Sequence, residues 1–499
     1  MRSLKNCLTR MKFKLPILII FLLILFFRIF FIFQTPYFGD SEAYFTIRNI
    51  EHIITTNLPL FNDNLSYSGR SQFFSPVFLY ILTPFYLLAG NIALKLLPVL
   101  FISSLVFVVY LITSKITQNK TAILLATFSS AFIPILISKT LNNISIYSLV
   151  IPLIFYFIYC LITIKKRVNQ AVIISFILPL IHPLAILLSI SLVIYLIIAK
   201  SESLKVSKIK KEAILFFIFV ALLIECIIYK KAFMDIGMRA IWQNIPFLML
   251  KNYFKEIGIV DAILNIGILP LAFGVYGVFY GLIKRKKSSV YLISSLIITT
   301  VFLLAFKFIS FKIGLALLGI SLSIMSALGY ERLFNQVKIT KVFYLENPLK
   351  FILVLLVIAT LIIPSFFATQ TSIKDTITKE EVQALEWLRD NAKENSVVLS
   401  SAEEGNYVTQ IAKKKNVIDT NFLFVRDSDE RYSDVVSVYT ILSEVKALQL
   451  LNKYKVNYIY FSERTKKIYN INSLNYIEDK SCFRKSYENA KAKIYTVYC

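Results

Sequence analysis

Gly39-Asp40-Ser41-Glu42-Ala43-Tyr44, followed by Arg48, Glu51, His52, Asp63 and Arg70, is the first long polar stretch of the chain. It comes after the 19-residue apolar run Leu15–Phe33, enough helix to cross a bilayer. Acidic groups are scarce before the C-terminal region. Residues 1–373 hold 12 carboxylates, and four of them (Asp40, Glu42, Glu51 and Asp63) stand in this stretch. Asp40 lies about seven residues past the apolar run, so it is expected near the membrane surface, placed to act on a substrate carried by a lipid. The alternative is a solvated loop between two spans, and Glu51 and Asp63 read as solvated charges of that kind.

Outward from this stretch, the chain is too apolar for a soluble core. Its 499 residues are 57% hydrophobic with a mean hydropathy of +0.67, the signature of a multi-span α-helical membrane protein. Spans are expected at about 15–33, 92–113, 121–138, 144–164, 168–182, 184–199, 212–230, 261–283, 289–306, 312–330 and 350–367. Residues 73–89, interrupted by Pro76 and Pro84, read as a short helix in the outer leaflet, which leaves about eleven crossings. No small-residue cleavage site follows Leu15–Phe33, so that span is expected to stay uncleaved.

The net charge of +25 does not indicate a nucleic-acid partner, because from Lys374 onward 20 basic residues face 18 acidic ones. The excess lies in loops between spans, where it sets orientation. With 73–89 outside the count, 23 basic residues fall in cytoplasmic loops and 10 in outer ones. The N-terminus is therefore expected in the cytoplasm, and the first outer loop 34–91 and the C-terminal region outside, in the cell membrane.

After Pro364 the composition changes. A transmembrane domain over 1–373 and an extracytoplasmic α/β domain over 374–499 are expected. Lys379–Asn391, Asn406–Ala412 and Val445–Tyr454 have helical spacing; Val397–Leu399, Val417–Ile418 and Tyr458–Phe461 are strand-like, which implies a partly parallel sheet. The end reads as a hairpin, Cys482–Tyr487 with Lys493–Cys499. A register pairing Tyr487 with Ile494 sets Cys482 opposite Cys499, so a disulfide is expected there. Cys160 and Cys226 lie in apolar runs as packing residues.

The layout resembles the GT-C class of membrane glycosyltransferases, which use polyprenyl-phosphate sugar donors and include dolichyl-phosphate mannosyltransferases and archaeal oligosaccharyltransferases. The resemblance rests on the Gly39–Tyr44 loop with Arg48, on Ser75-Pro76-Val77-Phe78-Leu79-Tyr80, and on Lys95-Leu96-Leu97-Pro98. It continues in Phe306-Lys307-Phe308 through Gly329-Tyr330-Glu331-Arg332-Leu333, and in Ala384–Arg389 with Val397–Ser400 and Glu404–Tyr407. It implies that Asp40 is a general base or a metal ligand. A carboxylate can take the proton of a hydroxyl acceptor as the sugar–phosphate bond breaks, and a cation must meet the charge growing on the departing phosphate. Lys307, Lys312, Arg239 and Lys139 map to the outer face and could supply that cation; each also reads as a snorkelling or orientation charge. Glu42 is a second ligand or a helix-start charge.

The class implies a divalent cation, Mg or Mn, in metal-dependent members. Where those members carry acids in the second outer loop, however, this chain has Lys139-Thr140-Leu141-Asn142-Asn143. Asn142 and Asn143 can ligate but bring no charge. The Trp-Trp-Asp acceptor-reading motif of the oligosaccharyltransferases is also missing, with Ser401–Tyr407 in its place. His182, before Pro183, is expected to hydrogen-bond locally rather than bind metal. Glu225, inside a span where an ionisable group costs roughly 2–3 kcal/mol or more, is a functional candidate or the partner of Lys230 or Lys231. Asp235, Glu256 and Asp261 belong to the outer loop 231–260. No P-loop, dinucleotide glycine fingerprint or zinc spacing occurs.

The reading is a glycosyltransferase moving a sugar from a polyprenyl-phosphate donor to an extracytoplasmic acceptor. Its partners are then the lipid-linked sugar and membrane lipids, with no protein partner legible. Two alternatives stand beside it: an oligosaccharyltransferase-like enzyme with an altered acceptor pocket, and a non-catalytic scaffold or lipid-linked-glycan transporter. A transporter is expected to show internal symmetry and broken helices near mid-membrane.

Overall fold

The computed structural model describes residues 2–72, 74–255, 258–340, 343–477 and 482–499, so Glu256 lies outside the described residues. The chain divides into two compact units. The first takes Met1–Gln34, Asn91–Ile227 and Phe254–Lys374; the second takes Thr35–Gly90, Ile228–Tyr253 and Asp375–Cys499.

The first unit is helical. Among the described residues of the chain, nine helical stretches are long and apolar enough to cross a bilayer. The other two expected spans are shorter or more charged. Residues 144–164 form Tyr147–Ile162, 16 residues, which is about 24 Å of helix against a hydrocarbon core of about 30 Å. Residues 168–182 belong to Ile164–Ile181, whose first turn carries Lys165, Lys166 and Arg167. Phe31, Phe132, Tyr330, Phe334 and Leu361 pack a common core. Helix packing within a bilayer gains little from the hydrophobic effect, so close backbone approach has to supply it. Ile268–Tyr280 and Phe311–Ile339 achieve that approach with glycine. A Cβ on Gly274 would stand 2.6 Å from the Leu322 carbonyl oxygen, and one on Gly277 would collide with that of Met325.

The second unit is α/β. The strands, in chain order, are β1 Asn62–Asp63, β2 Arg70–Ser71, β3 Val397–Leu399, β4 Lys415–Asn416, β5 Val456–Ser462, β6 Phe483–Glu488 and β7 Ala492–Val497. β1 and β2 form a small antiparallel pair. The others make one mixed sheet in the order β4-β3-β5-β7-β6, parallel at β4-β3-β5 and antiparallel beyond. Leu399, Val417, Ile418, Phe422, Tyr439 and Ile459 fill the core. The strand expected at Val417–Ile418 is paired two residues earlier; those two side chains are buried past the ladder's end instead. Lys379–Asn391 is helical as its spacing predicts, with a capping box from Thr378 and Glu381. The polar helix Ser428–Thr440 had no comparable signal.

Residues 62–71 belong to this unit through a buried polar chain. Asp63, read from sequence as a solvated charge, is 1% exposed. It receives Arg48, and its Oδ1 accepts the Leu65 and Ser66 backbone N–H groups at 3.0 and 3.1 Å. Ser66 Oγ donates to Asp419 at 2.5 Å, Tyr67 N–H to Asn416 Oδ1 at 2.7 Å, and Arg70 pairs with Asp419 at 3.4 Å. A carboxylate surrounded by three donors has no need of water, and that is why the solvated reading fails.

The β6–β7 hairpin pairs Tyr487 with Ile494, and a bulge between Lys485 and Tyr487 shifts the register by one toward the ends. Cys482 and Cys499 are joined by a disulfide across 17 residues. Replacing both by serine is expected to cost about 3 kcal/mol from the loop length, read as a lower denaturant midpoint followed by Trp387 fluorescence.

Candidate functional site

In the second unit, Asp40 is the N-cap of helix Ser41–Thr56. Its Oδ1 accepts the Ala43 backbone N–H at 3.1 Å, and Glu42 sits in the first turn. An aspartate at this position caps orphan N–H groups at the positive end of the helix dipole. One turn on, Tyr44 is 7% exposed and meets Tyr407 edge-on, ring centroids 4.9 Å apart. Burial pushes both phenols far above their ordinary range, with the negative charge of Asp40 adding to it, so both remain protonated donors. The Tyr407 hydroxyl is buried without a hydrogen-bond partner. The Arg464 guanidinium stands 5.5 Å from the Tyr407 ring and donates to the Asp375 carbonyl at 2.7 Å. Burial works against its charge, but Tyr407, Glu404 and Glu381 together hold it above its ordinary range.

This cluster follows the carboxyl ends of β3 and β5, parallel neighbours in the sheet. Open α/β sheets place ligands at that position. Glu404, fully buried, accepts Ser401 Oγ at 2.7 Å, Thr465 Oγ1 at 2.7 Å and the Ser462 hydroxyl. Burial raises its pKa, and the hydroxyls only partly offset that. A raised carboxyl means that the folded state holds the proton more tightly than the unfolded one. Stability is therefore full below the ordinary value of 4.5 and falls as pH rises through the higher folded value. Glu404→Gln, which keeps the shape and removes the charge, is expected to flatten that decline in thermal melts taken from about pH 4.5 to 8. Glu403, raised by burial and by Glu404, supplies the remainder of the slope.

Arg48 is engaged by Asp63, as above. Arg239 pairs with Asp429 and lines a small pocket with Trp242, Asn244, Ile245, Phe247 and Leu250. Asp235 faces Arg426 at 3.7 Å.

In the first unit, two expected residues come together on one ring. Lys139 Nζ lies 5.9 Å from the centroid of Tyr147, and the His182 ring lies 5.0 Å from the same side chain. His182 Nδ1 accepts the Leu184 backbone N–H at 3.1 Å, the local bond expected of it. Asn142 is 2% exposed with φ +53°; Asn143 Nδ2 donates to the Lys139 carbonyl, and Asn143 Oδ1 and Ser145 Oγ are buried without partners. Beside this turn stands a residue the sequence reading passed over. Arg28, 1% exposed, donates to Thr140 Oγ1 at 2.9 Å and has no carboxylate partner among the described residues. Lys95 donates to the Ile32 carbonyl at 3.0 Å, one turn along the same helix. The available signal was a lone arginine inside an apolar run, a default functional candidate. Lys307 occupies a left-handed turn, φ +59°, with its ammonium 5.5 Å from the Phe254 ring. Both carboxylate oxygens of Glu225 are buried with no hydrogen-bond partner, so neither lysine considered from sequence is its partner.

Among the described residues no three His, Cys, Asp or Glu side chains gather as a metal site.

Residues 52–257 match a family model described as Predicted membrane protein (DUF2079). No curated protein sequence matches the chain. Among solved structures, the Archaeoglobus fulgidus oligosaccharyltransferase in its apo form is 14% identical with a TM-score of 0.63, covering 89% of this chain and 69% of that one. The same organism's AglB in complex with an inhibitory peptide and a dolichol-phosphate gives 14% and 0.61 over 89% and 69%. ArnT from Cupriavidus metallidurans, bound to undecaprenyl phosphate, is 9% identical with a TM-score of 0.56 over 96% and 97%. Both proteins have the GT-C fold, and so does this chain.

Proposed function

We propose that the chain is a membrane glycosyltransferase of the hexosyltransferase type. It takes one sugar from a polyprenyl-phosphate donor to an acceptor outside the cell, with its N-terminus in the cytoplasm and Asp375–Cys499 in the extracytoplasmic space. Asp40 removes the acceptor hydroxyl proton, and the freed oxygen attacks the anomeric carbon. The bond from that carbon to the phosphate oxygen breaks, and the carrier leaves as polyprenyl phosphate. A cation meets the charge that appears on the phosphate, for which Lys307 and Lys139 of the first unit and Arg239 of the second are the candidates.

The observation that carries the reading is Arg28. Its guanidinium is deeply buried and held by one hydroxyl, that of Thr140, and a cation so placed in an apolar helical body favours an anion presented from lipid. The fold adds support, since solved proteins that share it were captured with dolichol-phosphate and undecaprenyl phosphate. The oligosaccharyltransferase-like reading has the higher TM-scores in its favour, but Ser401–Tyr407 offers no tryptophan to read an asparagine acceptor.

The test is transfer by purified protein from a panel of radiolabelled polyprenyl-phosphate sugars. Lys307→Met is expected to lower kcat/KM for the accepted donor by about tenfold or more, the worth of one charge-assisted contact. No turnover with any donor sinks the enzyme reading and leaves a scaffold or transporter.

A further inference from the structure

The segment Ile228–Tyr253 combines two unlike sets of contacts. One set packs on the rest of the second unit. Asn244 Nδ2 donates to the Phe422 carbonyl at 3.0 Å, the Phe247 backbone N–H donates to Asp429 at 2.7 Å, and Ile245 and Met249 pack on the core. The segment also exposes Phe233, Met234, Met238, Phe247 and Leu248, at 44, 75, 67, 71 and 44%. An apolar face of that size is not a feature a water-facing loop keeps.

Helix geometry says what covers it. The segment begins on helix Lys208–Ile236, where Lys211 and Lys230 are 19 residues apart, about 30 Å of rise and the thickness of a hydrocarbon core. Phe233 and Met234 therefore follow at headgroup depth. Lys230, Lys231 and Lys251 stand exposed along the same segment. Apolar side chains among exposed cations are the composition of a helix lying in the plane of an anionic surface. We infer that Ile228–Tyr253 is an in-plane membrane anchor, with its exposed Phe, Met and Leu side chains in the headgroup layer and its lysines on anionic lipid.

The chain has two tryptophans, Trp242 and Trp387. Full-length protein with Trp387→Phe reports from Trp242; with Trp242→Phe, Trp387→Phe and Met234→Trp it reports from position 234. Both go into vesicles of phosphatidylcholine and phosphatidylglycerol, with one lipid at a time brominated near the headgroup. At least one reporter is expected to be quenched, about twofold more by brominated phosphatidylglycerol than by brominated phosphatidylcholine, and Lys230→Gln with Lys231→Gln and Lys251→Gln is expected to remove that excess. Two unquenched reporters would overturn the inference and give the face to a protein partner. Equal quenching by the two lipids would overturn the anionic-lipid part.

Discussion

Asp40→Asn is expected to slow sugar transfer by about 10²- to 10⁴-fold, the worth of a general base, with little change in thermal midpoint. The geometry makes this substitution unusually informative. Asp40 caps its helix through Oδ1 and the Ala43 N–H, and asparagine caps a helix as well as aspartate does. The local fold therefore stays while the charge goes. Asp40→Ala removes both, and is expected to cost about 1 kcal/mol of stability besides. The structural role thus separates from the chemical one: if Asp40 is only a cap, Asn transfers at the parental rate and Ala is merely less stable. If Asp40 is the base, Asn and Ala are equally slow although their melting temperatures differ. Donor KM is the second readout, since a residue acting on the acceptor proton changes kcat while leaving donor affinity in place.

How much of this was legible in the chain depends on whether the signal was local. Nine of the eleven span positions, the helix Lys379–Asn391 and the Tyr487–Ile494 pairing are read from neighbouring residues, and the described residues have them. Arg28 depends on Thr140, 112 positions away, and Asp63 is buried in a turn that Ser66 ties to Asp419, 353 positions further on. Nothing near Asp63 in sequence announces burial, and its loop has the polar composition of an exposed one. Arg464 and Tyr407 went unread as site residues for the same reason. Their meeting is created by β3 and β5 lying side by side, a parallel pairing of strands separated by a long crossover.

Arg48→Met is expected to destabilise the second unit by about 3–5 kcal/mol, more than any other single change considered, because it strands a buried charge. Arg48 and Asp63 are 6% and 1% exposed, so neither can turn to water when its partner is lost. The guanidinium also lies beside Arg70 and Asp419 in the same chain of contacts. Its removal therefore weakens the attachment of residues 62–71 to Asn416 and Asp419 as well. The paired replacement Arg48→Met with Asp63→Leu separates the two contributions. A buried ion pair exchanged for apolar groups of similar volume is often neutral in stability. Asp63 additionally accepts two backbone N–H groups, from Leu65 and Ser66, which the leucine leaves unpaired at about 1–3 kcal/mol each. The double variant is thus expected to recover part of the loss and no more, in thermal melts of the full-length protein. Full recovery would mean that the turn at Leu65–Ser66 finds other partners. A single Arg48→Met that melts with the parent would overturn the prediction.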